Sequence, residues 1–434
     1  MQETPTRAPA ARILAASLAG TAVEFYDFYI YATAAALVFP SLFFPATSEW
    51  AQLMLSYATF ALAFIARPVG AVLFGHFGDR IGRKSTLVGS LLLMGGSTVA
   101  IAFLPTYHQA GFIAPLLLCV LRFGQGLGLG GEWGGASLLA VENAPPGWKA
   151  RYGMFPPMGA PVGFIIANGF YLILGLFLTE DQFQSWGWRI PFLASAVLIA
   201  FGMWIRLKLT ETPEFKEAME KAPPPSVPLG ELFRTNWRET VGGVFGVIAC
   251  FAVYYIATAF AMGYGVRTLG IPRETFLVIE IVAILFMAAG IVWAGFWSDA
   301  KSPSLVLMVG CIGAAAASFL IAPMMDSGSY LQIGAFLALM LVMMGLVYGP
   351  LGAWIPSLFP ARVRYTGVGF VFSVGGVFGG GLTPTIAEAL TKAGGLTYVG
   401  FYLAAATLMS FVAILLLRRP AEGAEPAPAN ISAP

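Results

Sequence analysis

The sequence predicts an all-α integral membrane protein with twelve transmembrane helices in two pseudo-symmetric bundles of six. The first observation behind this is composition. Of the 434 residues 58% are apolar and 11% are charged, and the mean hydropathy is +0.78, whereas a soluble domain carries about 25% charged residues. The second is that apolar residues form long runs, not the alternating ~10-residue strands of an outer-membrane barrel. The third is that the two halves of the chain repeat short motifs.

Twelve apolar runs between charged or Pro/Gly-rich breaks are predicted to cross the membrane as helices. A helix needs about 20 residues, within a range of roughly 17 to 25, to cross the hydrocarbon core. We number the runs in chain order as spans one to twelve: 13–39, 51–77, 85–104, 112–140, 152–178, 190–207, 240–266, 275–298, 304–322, 330–356, 365–391 and 396–417. An even number of spans places both termini on the same side.

The longest polar stretch lies between spans six and seven and includes three consecutive prolines at 223–225. It divides the chain into two halves of six spans. The predicted parts are an N-terminal tail 1–12, an N-terminal bundle 13–207, a linker 208–238, a C-terminal bundle 239–417 and a C-terminal tail 418–434.

Basic residues predict the orientation, because Lys and Arg concentrate on the cytoplasmic side of membrane proteins. Eighteen of the 24 Lys and Arg residues lie on the side of the termini and of the linker, four lie on the other side, and Arg67 and Arg122 lie within spans. The first span contains Glu24 and Asp27 and is too long and too acidic for a cleaved signal peptide. We therefore expect a multi-pass protein of the bacterial inner (plasma) membrane with both termini in the cytoplasm.

The remaining composition excludes several kinds of partner. A net charge of +2 gives no indication of nucleic acid binding. Cys119, Cys250 and Cys311 each lie in an apolar run, and His76 and His108 are far apart, so neither a disulfide framework nor a metal site is expected. We expect a monomer in the lipid bilayer that uses no cofactor.

Two short motifs occur once in each half. Residues 75–79 (Gly-His-Phe-Gly-Asp) follow span two, and residues 295–299 (Gly-Phe-Trp-Ser-Asp) follow span eight at an offset of about half the chain. An Arg-Tyr pair begins both span five, at Arg151, and span eleven, at Arg364. Repeated halves of six spans are typical of secondary transporters, which build a substrate site between them.

These motifs resemble those of a known family. Residues 75–84 (Gly-His-Phe-Gly-Asp-Arg-Ile-Gly-Arg-Lys) resemble the cytoplasmic loop motif of the major facilitator superfamily. Six further segments are similar to its metabolite:proton symporter family, whose members carry shikimate, 2-oxoglutarate, citrate, or proline and betaine: 24–27, 66–70, 122–135, 188–192, 211–213 and 359–367. The resemblance covers the whole chain and implies the major facilitator fold.

The resemblance also implies a cytoplasmic gate. Its residues would be Asp79, Arg80, Arg83 and Lys84 in the first half and Asp299 and Arg364 in the second. The second loop motif keeps its acid but lacks the basic cluster that follows it in the first.

Charged residues within spans are candidates for function, because each costs roughly 2.5 to 3.5 kcal/mol to insert. In span one, Glu24, Asp27 and Tyr31 share one helical face. In span four, Arg122, Gln125 and Glu132 share one stripe, and Arg67 lies near the middle of span two. The alternative is a fixed ion-pair network that only holds the helices together.

Two arginines and several acids in one half suit proton-coupled transport of an anion. We expect substrate binding by Arg122, Arg67 and Gln125, and proton coupling by Glu24, Asp27 and Glu132. Aromatic residues that could line a cavity for a carbon ring are Tyr26, Tyr31, Trp133, Tyr254 and Tyr255, although most aromatic side chains in membrane proteins pack against helices or lipid. Glu280 and Glu388 lie within a few turns of the outer end of their spans, which predicts solvated or snorkelling side chains.

The functional prediction is a proton-coupled symporter that imports a small organic anion, a mono- or dicarboxylate, by alternating access. One alternative is proton symport of a zwitterion of the proline or betaine type. The second is an integral-membrane enzyme, which is disfavoured because the loops show neither paired Asp clusters nor a Ser/His arrangement. The third, a channel, is disfavoured by the two repeated halves.

Overall fold

The computed structural model describes residues 10–45, 48–81, 83–130, 132–208, 228–360 and 363–418. Within these ranges it leaves out the side chains of 10–13, 16, 75–87, 132, 205–208 and 228–229. Much of the predicted linker and most of both predicted tails therefore lie outside the described residues.

The described chain is helical and contains one rod for each predicted span. We label the rods α1 to α12. Their bounds are α1 Ala10–Leu37, α2 Glu49–Ile81, α3 Arg83–Ile101, α4 Ile113–Glu142, α5 Lys149–Phe177, α6 Arg189–Lys208, α7 Trp237–Arg267, α8 Arg273–Ala300, α9 Pro303–Ser318, α10 Tyr330–Ser357, α11 Arg364–Gly394 and α12 Leu396–Leu417.

Length and hydropathy support a transmembrane assignment for these rods. Among the described residues, eight helices are long and apolar enough to cross a membrane, and α6 makes a ninth together with the short segment Glu180–Gly187 before it. Helix α1 is 28 residues long, but two acids and three tyrosines in its middle make it less apolar. Helices α3 and α9 have shorter apolar segments, 88–101 and 303–318. The prediction of an all-α, twelve-helix fold is confirmed.

Helices α1 and α7 lie at the centre of the molecule. The most apolar part of α7 is 94% buried, compared with 39% for α5, which faces lipid along much of its length. Nearly every residue of α1 from 21 to 37 is also buried. The two halves meet where α2 packs on α11 and where α5 packs on α8. A group on α1 or α7 is therefore shielded from lipid by the other helices, as a midplane site requires.

Glycines set the closest approach between α2 and α4. A Cβ atom on Gly126 would overlap the carbonyl oxygen of Ala63, and one on Gly130 would overlap the backbone at Arg67. The spacing of four residues between Gly126 and Gly130 is the small-residue pattern that lets two membrane helices pack with their backbones in contact. This contact brings Arg67 and Arg122, on adjacent helices, into the same region.

Candidate transport site

Arg122 lies at the centre of the site and is completely buried. Its Nη1 donates a hydrogen bond of 2.8 Å to Gln125 Oε1, whereas Nε and Nη2 have no hydrogen-bond partner among the described residues. The guanidinium carbon lies 3.8 Å from the ring centroid of Tyr31 and 4.4 Å from that of Phe28. These rings stabilise the cation. The edge of the guanidinium group formed by Nε and Nη2 thus has no hydrogen-bond acceptor among the described residues.

A chain of polar contacts runs from Arg122 to Asp27. Gln125 Nε2 donates to Thr98 Oγ1 at 2.7 Å, and Thr98 Oγ1 lies 3.2 Å from Asp27 Oδ2. The same hydroxyl lies 3.0 Å from the carbonyl oxygen of Met94, so its single hydrogen has two alternative acceptors. Ser195 of α6 donates to the other carboxylate oxygen of Asp27. The arginine and the acid are thus connected through neutral groups.

Glu24 and Arg67 form a buried ion pair. Arg67 Nη2 lies 3.5 Å from Glu24 Oε1, and both side chains are about 5% exposed or less. The Arg67 guanidinium carbon lies 5.8 Å from the Phe28 ring centroid, so the two arginines share this ring. The structure therefore brings together Glu24, Asp27, Arg67, Arg122 and Gln125 from α1, α2 and α4. The predicted acid Glu132 lies among the side chains outside the description.

The predicted aromatic residues differ in the partners that they contact. Tyr255 of α7 packs edge-on against Phe60 and Phe64 of α2, and Tyr254 stacks on Tyr29 of α1. Trp133 stacks on Phe372 of α11 with ring centroids 3.8 Å apart. Tyr26 instead donates to the carbonyl oxygen of Pro191 within the N-terminal half. The hydroxyl group of Tyr26 is therefore engaged within the N-terminal half.

A cavity with room for about one water molecule lies between α1, α5, α7 and α8. Its volume is ≈ 10 Å³, and it is lined by Tyr29, Ala32, Thr33, Phe164, Thr258, Ala259, Met262 and Glu280. The expectation that Glu280 is solvated was wrong, because its residue is only 2% exposed. Residues of the N-terminal half cover this part of α8. Packing between the two halves cannot be predicted from a single sequence. Glu388 is partly exposed.

Comparison with known proteins identifies the family. A family model described as Major Facilitator Superfamily matches residues 17–382. The chain belongs to the major facilitator superfamily. It is 48% identical to the inner membrane metabolite transport protein YhjE of Escherichia coli K12, over 93% of each chain. It is 36% identical to the shikimate transporter of the same organism, over 94% of each.

A solved structure supports the same fold. The proton:xylose symporter XylE matches with a TM-score of 0.72 over 94% of this chain and 95% of that one, at 16% sequence identity. Members of the major facilitator superfamily are membrane transporters, so this chain is a multi-pass transporter and not an enzyme. The predicted membership is confirmed.

In this major facilitator protein, the two halves are joined at the face where α1 begins and α12 ends, here called the terminus face. Asp299 at the end of α8 accepts hydrogen bonds from the backbone N–H groups of Ala150 and Arg151, at 2.8 and 3.1 Å. Arg151 Nε also lies 3.1 Å from Asp299 Oδ2. A carboxylate at the N-terminal end of a helix satisfies its free N–H groups and its dipole.

A second contact at the terminus face joins Arg364 Nη1 of α11 and Glu142 Oε1 of α4, 4.0 Å apart. Asp299 and Arg364, the two predicted gate residues of the second half, thus both lie on contacts between the halves. The side chains of Asp79, Arg80, Arg83 and Lys84 lie outside the described residues, so their role stays a prediction.

The opposite face is also closed by contacts between the halves. Tyr57 donates to the carbonyl oxygen of Ala259 at 2.8 Å, and Arg273 Nη1 lies 3.1 Å from Glu180 Oε2. The ammonium nitrogen of Lys392 lies 3.7 Å from the ring centroid of Trp50. Contacts between the halves are therefore present at both faces of the described structure, with a small cavity between them, as expected of an occluded conformation.

Sequence reasoning missed the groups that hold the charged residues in place. Thr98 and Ser195 lie on spans three and six, where we expected no site residue, and Phe28 contacts both arginines. The only sequence signal for Thr98 was that its polar side chain lies within a span. Such side chains are common in membrane helices, so this signal does not single out Thr98. Nothing in the sequence distinguished Phe28 from the other 34 phenylalanines.

Proposed function

We propose that the protein is a proton-coupled symporter that imports a small organic anion across the bacterial inner membrane. The observation that carries this proposal is the guanidinium group of Arg122, which is buried at the centre and whose Nε and Nη2 have no hydrogen-bond acceptor in the described part of the chain. A buried charge without a counter-charge is costly, so a ligand that supplies one gains affinity. A carboxylate fits this edge, because its two oxygens accept two parallel hydrogen bonds from a guanidinium group.

The proton is coupled to the anion through Asp27. When the carboxylate of a substrate binds Arg122, the hydrogen bond between Arg122 and Gln125 weakens. Because Gln125 also donates to Thr98, this change alters the hydrogen bonding of the Thr98 hydroxyl. The Thr98 hydroxyl either donates to Asp27 or turns to the carbonyl oxygen of Met94. Loss of that donor disfavours the ionised form of Asp27 and favours proton uptake. Glu24 compensates the charge of Arg67 throughout, or takes a second proton when the pair separates.

Transport follows from rocking of the two halves about this site. The contacts of Asp299 and Arg364 open the terminus face when they break, and those of Tyr57, Arg273 and Lys392 open the opposite face. The terminus face is cytoplasmic in this proposal, because it carries the excess of basic residues. The name of the E. coli relative, an inner membrane metabolite transport protein, supports the location.

The substrate class rests on chemistry and on the relatives. The shikimate transporter, 36% identical, is named for a ring compound with one carboxylate. The aromatic residues of α1 and α7 around the centre, among them Tyr29 and Tyr254, suit a compact carbon skeleton.

Uptake into proteoliposomes tests the proposal. Purified protein is reconstituted, a pH gradient is imposed with the outside acidic, and labelled shikimate, 2-oxoglutarate, citrate, proline and betaine are offered separately. We expect accumulation of at least one carboxylic acid above its external concentration, abolished by a protonophore. Accumulation of betaine or proline alone would favour the zwitterion symporter, and equilibration without accumulation would indicate a channel. Either result overturns the proposal.

A further inference from the structure

Glu280 is a buried acid of the second half that no part of the proposed mechanism uses. It lies on α8, seven residues from the helix start and therefore about 10 Å along the helix at 1.5 Å per residue. Its residue is 2% exposed, and its Oε1 has no hydrogen-bond partner among the described residues. The side chain forms part of the wall of the central cavity.

Among the described side chains, none supplies a counter-charge to Glu280. The ionisable side chains that line its cavity or interact with it electrostatically are Tyr29 of α1, Tyr57 of α2 and Tyr254 of α7. No described Lys, Arg or His forms an ion pair with it. The cavity hydroxyls of Thr33 and Thr258 donate elsewhere, to Asn168 Oδ1 and to the carbonyl oxygen of Tyr254. Phe164 and Met262 supply apolar walls.

The two acids of α1 are held differently. Glu24 lies beside Arg67, and Asp27 accepts hydrogen bonds from Thr98 and Ser195. Both are thus provided with groups that stabilise a carboxylate. An ionised Glu280 would have none of these, and a buried carboxylate without compensation is so costly that the group instead binds a proton. In the occluded conformation Glu280 is therefore the acid best suited to hold a proton.

The cavity also connects this proton to the motion of the halves. Glu280 and Thr258 belong to the C-terminal half, whereas Tyr29, Thr33 and Phe164 belong to the N-terminal half. Separation of the halves at either face admits water to the cavity, and water stabilises the ionised carboxylate. Closure removes that water.

We propose that Glu280 is a proton-binding residue of the transport cycle, which is protonated while the site is occluded and exchanges its proton with water when a face opens. This inference rests on the proposed function and adds a proton site in the C-terminal half, where sequence analysis named no proton-coupling residue. A proton is the occupant that fits, because the cavity has room for about one water molecule, which is too little for a trimethylammonium group like that of betaine.

Infrared difference spectroscopy tests protonation without any substrate. Full-length protein reconstituted in lipid is moved between acidic and alkaline buffer, and the carbonyl-stretch band of protonated carboxyl groups is recorded. We expect Glu280→Gln to remove one component of this band, and the matched control Glu388→Gln, at the partly exposed acid of α11, to keep it. A band unchanged by Glu280→Gln would overturn the proposal. If Glu280→Gln does not reconstitute, Glu280→Asp is measured in its place. It is expected to shift the pH at which this component of the carboxyl band changes, and an unshifted component would overturn the proposal.

Transport tests the role in coupling. Labelled shikimate and 2-oxoglutarate are the probes, in proteoliposomes with an imposed pH gradient. We expect Glu280→Gln to reduce accumulation to the level reached without a gradient while exchange of labelled for unlabelled acid continues, and Glu280→Asp to recover part of the accumulation. Wild-type accumulation by Glu280→Gln, or accumulation by the native protein driven by sodium in place of protons, would overturn the proposal.

The two tests separate failure of this inference from failure of the proposed function. If the native protein shows no proton-driven uptake of any acid, the proposed function fails, and the infrared band still decides whether Glu280 binds a proton. If the native protein couples protons and Glu280→Gln couples them equally well, only the role of Glu280 fails.

Discussion

At the scale of single residues, the site contains two buried arginines with different partners. Arg67 faces the carboxylate of Glu24 at 3.5 Å. Arg122 has Gln125, a neutral side chain, and aromatic rings. An arginine that is already paired with an acid balances that acid, whereas an arginine without one is available to a substrate anion. The sequence placed both residues correctly within spans, but it could not show which of them has a counter-charge.

Arg122→Lys is expected to weaken binding of the transported acid strongly. Lysine keeps the charge but cannot offer two parallel hydrogen bonds, so the loss should be on the order of 1.5 to 3 kcal/mol, or about 10- to 150-fold in Kd. Isothermal titration calorimetry measures it, with the acid accumulated by the native protein as ligand. Arg67→Lys is the matched control and should retain most of the affinity. An Arg122→Lys affinity within about twofold of the native value, well under 1.4 kcal/mol, would reject the anchor role and favour Arg67.

Asp27→Asn is expected to separate transport from the proton gradient. Asparagine keeps the size and can accept from either Thr98 or Ser195 through its single amide oxygen, but it cannot bind and release a proton. Accumulation driven by a pH gradient should be lost, while exchange of labelled for unlabelled acid persists at least in part. Glu24→Gln is predicted to have the same effect on accumulation. Full accumulation in both variants would remove α1 from the coupling mechanism.

At the scale of helices, the sequence predicted positions well because the hydrocarbon layer leaves few alternatives. Helix α12 begins and ends at the predicted residues, 396 and 417. Helix α9 ends at Ser318, four residues before its predicted end, and a separate short helix Ile321–Met325 follows. Such ends depend on local capping and on neighbouring helices. An apolar run cannot encode either one.

Gly126→Ala is expected to destabilise the contact between α2 and α4. The new methyl group would overlap the backbone of Ala63, so the two helices must separate. Overpacking of this kind costs about 1 to 3 kcal/mol, and it should lower the Tm of the purified protein and displace Arg122. The matched control is Gly96→Ala on α3, where a Cβ atom meets nothing within 4 Å. Its Tm should be unchanged or slightly raised, because Ala favours a helix. Equal Tm values for both variants would contradict the close packing.

At the scale of the whole molecule, the repeated halves of the sequence predicted the architecture, but they did not predict which contacts close it. The Arg-Tyr pairs illustrate the difference. Arg151 and Arg364 occupy equivalent positions in the two halves, and each contacts an acid of the opposite half, Asp299 and Glu142 respectively. The repeat indicated that the arginines are equivalent, whereas their partners follow from how the halves are docked.

Because the two halves contact each other at both faces, cross-linking them at either face is expected to arrest transport. On the terminus face the pair is Glu142→Cys with Arg364→Cys, and on the opposite face it is Trp50→Cys with Lys392→Cys, joined by short bifunctional thiol reagents. Because alternating access requires each face to open in turn, each cross-link alone should abolish uptake and exchange, and a cleavable reagent should allow recovery after reduction.

Two controls make this result specific. The pair Tyr264→Cys with Asp326→Cys replaces a 2.7 Å hydrogen bond within the C-terminal half, so cross-linking it should leave transport intact if the halves move as units. The native protein, treated with the same reagent, accounts for Cys119, Cys250 and Cys311. Continued transport with the cross-link complete at one face would show that this face does not need to open, which is incompatible with rocking of the two halves.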